Sequence, residues 1–174
     1  MLVGDVQVGP DSRVLWNAVV TAEDGSVEIG ARCVVMEQAL LRARADHPVS
    51  VGDDVLIGPH AHVNGARIHD GAFVATGASL FPGATLGAAA SVAVGGVVHV
   101  NSSVAPGERV PIGWVAVGDP AELLPTSERD RIRAHLEQLD FFGTTYGLPR
   151  EAGATERMRA QSDWFGAHRD DRVL

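Results

Sequence analysis

The chain has 174 residues, with 14 basic against 22 acidic side chains and a formal net charge of −8. That balance argues against nucleic acid and anionic membrane as partners, because phosphate binding needs concentrated basic charge. No run of about eighteen apolar residues exists to cross a bilayer, and every cation is an arginine, so lysine-based Schiff-base chemistry is excluded.

The start, Met1-Leu2-Val3-Gly4-Asp5, lacks the basic and apolar segments of a secretory signal, and residence in the cytoplasm is expected. From Leu2 onward an aliphatic residue recurs at a spacing of six: Leu2, Val8, Val14, Val20, Ile29, Val35, Leu41, Val51, Ile57, Val63, Ile68, Val74, Leu80, Leu86, Val92, Val98, Val104 and Val110. The period breaks after Val20 and Leu41, where residues are inserted, and after Val63, where one is dropped. A sustained hexapeptide period predicts an all-β chain folded as a parallel β-helix of about six coils, each short strand stacking on its equivalent one coil away. The aliphatic residue points inward, and glycines such as Gly52, Gly58 and Gly77 sit where the chain turns a corner. Helical spacing is not sustained anywhere before Pro125.

Cys33, the only cysteine, occupies a small-residue corner position and reads as packing rather than redox chemistry. After Pro125 the period changes. Ser127 is the expected helix cap, and Ile132, Leu136, Leu139 and Phe142 make one apolar stripe. The segment 143–153 reads as a connector, and residues from about Thr155 to His168 predict a second helix, with Trp164 and Phe165 docking the tail on the prism or on a neighbour. The last turn of that helix and the charged end from His168 to Arg172 are expected to fray. Residues 1–124 are thus expected to form the prism and 125–174 a helical tail packing on it.

Several runs resemble the gamma-class carbonic anhydrases: Gly4-Asp5-Val6, Asn17-Ala18-Val19-Val20, Ile29-Gly30-Ala31-Arg32, Pro48-Val49-Ser50-Val51-Gly52-Asp53 and Ile57-Gly58. The most specific is Val104-Ala105-Pro106-Gly107-Glu108-Arg109-Val110-Pro111-Ile112-Gly113, leading to Gly118-Asp119-Pro120-Ala121. The resemblance implies a left-handed β-helix and a homotrimer. It also implies zinc held by three histidines, two from one subunit and one from its neighbour. At the matching positions this chain carries Arg42, Pro59 and Asn64. Arginine stays protonated, proline has no side-chain donor atom and asparagine is a feeble zinc ligand. The family's arginine–aspartate pair becomes Thr21 and Glu23, and its glutamine and aspartate become Met36 and Glu37. The resemblance therefore implies a degenerate metal site without CO2 hydration, and no cofactor is expected. Relocated zinc on His60 and His62 is the alternative, with His47 as a further ligand only if its loop folds over the cleft.

In each hexad the residue after the inward one points outward, so Thr21, Arg42, Asn64, Phe81 and His99 should form a column on one face. With Glu23, Glu37, His60 and His62 beside it, that column reads as an intersubunit cleft for a small anion, with His62, His60 and Glu23 as proton-transfer candidates. Three other readings stand beside it. In one the column is a subunit interface, with Arg42 paired to Glu23 or Glu37 across subunits. In another the chain is a catalytically silent scaffold, and in the last a hexapeptide acyltransferase. His69 and His99 read as single surface sites, and His135 as solvated.

Overall fold

A computed structural model describes residues 1–168; the expected fraying at Arg169–Arg172 lies outside them. Three sheets wall a β-solenoid, and the chain visits them in rotation. The first holds Leu2–Val3, Val19–Thr21, Leu40–Arg42, His62–Asn64, Ser79–Leu80, Val97–Val98 and Val115–Val117, all parallel, with Glu122–Leu124 antiparallel at its end. The second runs from Val6–Val8 through Val27–Ile29, Val49–Val51, Arg67–Ile68 and Thr85–Leu86 to Ser103–Val104. The third runs from Arg13–Val14 through Val34–Val35, Leu56–Ile57, Phe73–Val74 and Ser91–Val92 to Arg109–Val110.

Register explains the period. Val20 aligns with Leu41, Leu41 with Val63, Val63 with Leu80 and Leu80 with Val98, a continuous aliphatic ladder inside the first sheet. The hexad residues are buried in one core except Leu2, Val8 and Val14, which belong to the first coil and have no coil beyond them to cover them. Each fully buried Val, Leu or Ile contributes roughly 1.5–3 kcal/mol, which is how such short strands persist. At the other end the antiparallel strand Glu122–Leu124 covers the last parallel edge and buries Leu124.

Corners need special backbone. A Cβ on Gly58 would meet Ala75 C and Thr76 N at 2.8 Å, so the next coil leaves no room there. Cys33 is buried, and its thiol donates to Gly52 O at 3.0 Å, a packing role.

All three breaks in the hexad period fall at the same corner, between the first and second sheets. Residues 22–26 and 43–48 bulge there on adjacent coils, and Asp24 accepts the backbone N–H of Ala45 at 3.0 Å. One coil further on, the shortened corner has Gly65 at φ +53, pressed against His47. These stacked irregular corners make a shelf beside the outward column.

The tail differs from expectation in detail. Helix α1 spans Arg129–Gln138; its cap position is Glu128 rather than Ser127, without a capping side-chain bond. Asp140 enters the left-handed region and starts a short helix α2, Phe141–Tyr146, where a connector was expected. Asp140 accepts from Gly143 N–H, as a local Asx-type bond that ends one helix and opens the next. Phe142 therefore leaves the α1 stripe. The expected second helix is α3, Ala154–Ala167. His135 is not free in solvent: it is half-buried, and its Nε2 lies 2.8 Å from Glu122 Oε2, tying α1 to the closing strand.

Candidate functional site

The outward column exists as the register requires. Thr21 aligns with Arg42 and Arg42 with Asn64, and the Phe81 ring stacks on His99 at 5.4 Å with 19° between planes. His62, two residues before Asn64, approaches the Phe81 ring edge-on at 6.3 Å.

The chain's own tail lies across this column. Phe141 of α2 sits 5.9 Å from Phe81 and 5.6 Å from His99, centroid to centroid. Phe165 of α3 receives the Arg42 guanidinium at 5.4 Å, and Trp164 receives that of Arg44 at 4.8 Å. Such stacked cations contribute from about 0.5 to 2 kcal/mol, more as water is removed. Docking of Trp164 and Phe165 is thus on the prism of the same chain.

Glu23 is the polar centre. It stands in the left-handed region at φ +45 on the first irregular corner, with its side chain 5% exposed. The Trp164 indole donates Nε1–H to Glu23 Oε2 at 2.7 Å. Arg42 Nε lies 3.2 Å from Oε1 and Arg44 Nε 3.6 Å from Oε2. These contacts are ionic rather than hydrogen-bonded: among the described residues neither buried Nε has a hydrogen-bond partner, and that of Arg44 is too distant to donate. Arg44 is anchored further, donating to Thr145 O at 2.8 Å and Gln161 Oε1 at 3.3 Å. Among the described residues the Arg42 side chain meets Glu23 and the face of Phe165. An Arg42–Glu23 pair is therefore made within the chain.

Two cations share one buried carboxylate, which leaves positive charge in excess beside Arg42. In the same layer His62 Nε2 and Asn64 Oδ1 are buried without hydrogen-bond partners among the described residues. Desolvation, reinforced by the Arg42 charge, holds the His62 imidazole below the usual histidine range. Desolvation alone does the same for His99, whose Nδ1 accepts the N–H of Val100 at 2.9 Å.

Not every expected residue joins this layer. His60 is exposed at a corner with φ +57, its N–H donating to Glu37 O, so His60 and Glu37 stand at the prism edge rather than on the column. Pro59 lies at that same edge, and His69 is exposed. His47 does not fold over the column: it forms a β-bridge with Arg44. Beside it a cavity of about 350 Å³ opens among Asp24, Arg44, Asp46, Tyr146, Gln161 and Trp164. Arg44 and Phe141 were not legible as site residues. Arg44 did carry one signal, an outward register two residues after Arg42 at an inserted corner. Phe141 carried none.

Among the described residues no group of three or more His, Cys, Asp or Glu side chains is placed to hold a metal ion. The donors nearest the column, His62 Nε2 and Asn64 Oδ1, face a guanidinium, and this set does not fit zinc. Among the described residues no helix is long and apolar enough to cross a membrane.

No family model matches the chain. It is 29% identical over 164 residues to gamma carbonic anhydrase 1, mitochondrial, of Arabidopsis thaliana, covering 91% of this chain and 56% of that protein. A probable carbonic anhydrase of Methanocaldococcus jannaschii is 32% identical over 74 residues, covering 42% of this chain and 46% of that protein. The chain spans about half the length of these curated relatives. Among solved structures, a UDP-N-acetylglucosamine acyltransferase from Bacteroides fragilis superposes with a TM-score of 0.61 at 13% identity, covering 98% of this chain and 81% of that one, a likeness of fold alone. In sequence the chain is thus similar to gamma carbonic anhydrases, and its architecture is a hexapeptide β-solenoid with parallel sheets.

Proposed function

We propose that this chain acts as a cytoplasmic homotrimer that binds a small anion along Arg42, His62 and Asn64, and that it neither holds zinc nor hydrates CO2. The observation that carries this reading is the Glu23 centre. One buried carboxylate serves two guanidinium groups, and the less anchored of them, Arg42, lies in a layer with an unpartnered imidazole nitrogen and an unpartnered amide oxygen. A carboxylate-sized anion would satisfy the Arg42 charge by paired hydrogen bonds. Of the three acid–base candidates, His62 suits proton transfer best. Glu23 is occupied by Arg42, Arg44 and Trp164, and His60 stands apart at the corner.

A second reading, a catalytically silent scaffold, is favoured by Phe141, Trp164 and Phe165, which close the column from the solvent side. The acyltransferase alternative has only the shared fold in its support.

The test is elemental analysis of the purified protein, CO2 hydration before and after zinc addition, and thermal shift with formate and acetate against chloride. The proposal expects no bound zinc, no hydration, and a saturable formate or acetate shift lost in Arg42→Met. Stoichiometric zinc with activity would sink it. A metal-free protein whose melting is unmoved by either anion would leave the scaffold reading.

A further inference from the structure

A second cavity lies at the far end of the column from Glu23. It measures about 510 Å³ and is lined by His99, Leu136, Phe141 and Phe142, with Arg133, Glu137 and Arg150 at its mouth. The volume is in the range of small-molecule sites, which combine apolar walls with few polar groups. Leu136, Phe141, Phe142 and His99 are half-buried, whereas the three charged residues are exposed.

The polar group in this wall is unusually well fixed. The His99 ring is stacked on Phe81 and contacted by Phe141, and its Nδ1 accepts the N–H of Val100. A neutral ring with Nδ1 as acceptor carries its proton on Nε2, so His99 offers one donor with no acceptor among the described residues. At the mouth, Arg150 is bound to the α1 carbonyls of Leu136 and Glu137, which positions a cation against the negative end of that helix. Arg133 adds a second cation, against the single carboxylate of Glu137.

We infer that this cavity is a binding site for a monocarboxylate with a compact apolar body, such as a medium-chain or single-ring acid. The apolar part lies against Leu136, Phe141 and Phe142, and the carboxylate meets His99 Nε2–H and the arginine mouth. The site involves no residue of the Glu23 centre and does not depend on the reading proposed for Arg42.

The experiment uses the full chain and sodium hexanoate, with hexanol as the uncharged control, read by thermal shift and by the ring nitrogen resonances of 15N-histidine-labelled protein. Hexanoate is expected to stabilise saturably and to move the His99 Nε2 resonance. Its apparent affinity should fall about tenfold in Leu136→Trp, which fills the cavity, and in His99→Phe, which removes the donor. Three results overturn the inference: no movement of the His99 resonance in the wild-type protein, hexanol acting as well as hexanoate, or a change of sedimentation size in Leu136→Trp. The last would mean that a second copy of the chain covers this face.

Discussion

Trp164 donates its indole N–H to the buried carboxylate of Glu23 at 2.7 Å, across 141 positions of the chain. It is the hydrogen bond that joins α3 to the first irregular corner of the solenoid, and it lies at the centre of the ion pairs made by Arg42 and Arg44. Replacing Trp164 with Phe keeps the ring and removes the donor. The expected loss is about 1.5–3 kcal/mol in urea unfolding, in line with hydrogen bonds to charged groups, with faster amide exchange confined to α2 and α3. Unchanged exchange in α3 would show that the tail docks without this bond.

Neutralising Glu23 should be worse than removing its donor. Glu23→Gln leaves Arg42 and Arg44 without their shared countercharge, at an expected cost of about 2–4 kcal/mol, moderated by the partial exposure of Arg42. The double variant Glu23→Gln/Arg42→Met should recover part of that loss, because one uncompensated cation is gone. A double variant as unstable as the sum of the singles would refute the coupling.

Acid should weaken the fold through His62 and His99. Both imidazoles are held below the ordinary value of 6.5, so the unfolded chain binds more protons than the folded one as the pH falls past that value. The stabilisation is fully present above 6.5 and is lost as the pH falls through 6.5 toward the folded-state values. Denaturation midpoints between about pH 7.5 and 5 should therefore fall less steeply in His62→Gln and His99→Phe than in the wild type. Parallel slopes would assign the acid sensitivity to other groups.

Gly58→Ala tests the corner geometry. The added methyl would lie 2.8 Å from backbone atoms of Ala75 and Thr76, where no flexible side chain can yield. A loss of about 1–3 kcal/mol is expected for such overpacking, read as a lower thermal midpoint. An unshifted midpoint would mean that adjacent coils can separate there.

The solenoid was legible because burial in it is a local property. Each hexad states which of its residues faces inward, and stacking coils repeat the same statement, so Val20, Leu41, Val63, Leu80 and Val98 could be assigned to one ladder from spacing alone. The outward column of Arg42, Asn64, Phe81 and His99 followed from the same register. Ser127 as a cap and Phe142 as part of the α1 stripe did not hold, and His135 is half-buried on Glu122 rather than free in solvent. A local turn at Asp140 starts a new helix just before Phe142, and the Glu122 carboxylate holds His135.

The chain by itself therefore determined the repeat, the inward ladder, the outward column and the three places where the period breaks. Only the tertiary structure decided that those breaks stack at one corner, that Glu23 is buried there, and that Phe141, Trp164 and Phe165 of the same chain close over Arg42, Arg44 and His99. The physical reason is separation. Periodicity encodes contacts between equivalent positions of neighbouring coils, whereas the docking of a non-repeating tail depends on contacts between groups far apart in the chain and outside the repeat, which no spacing records.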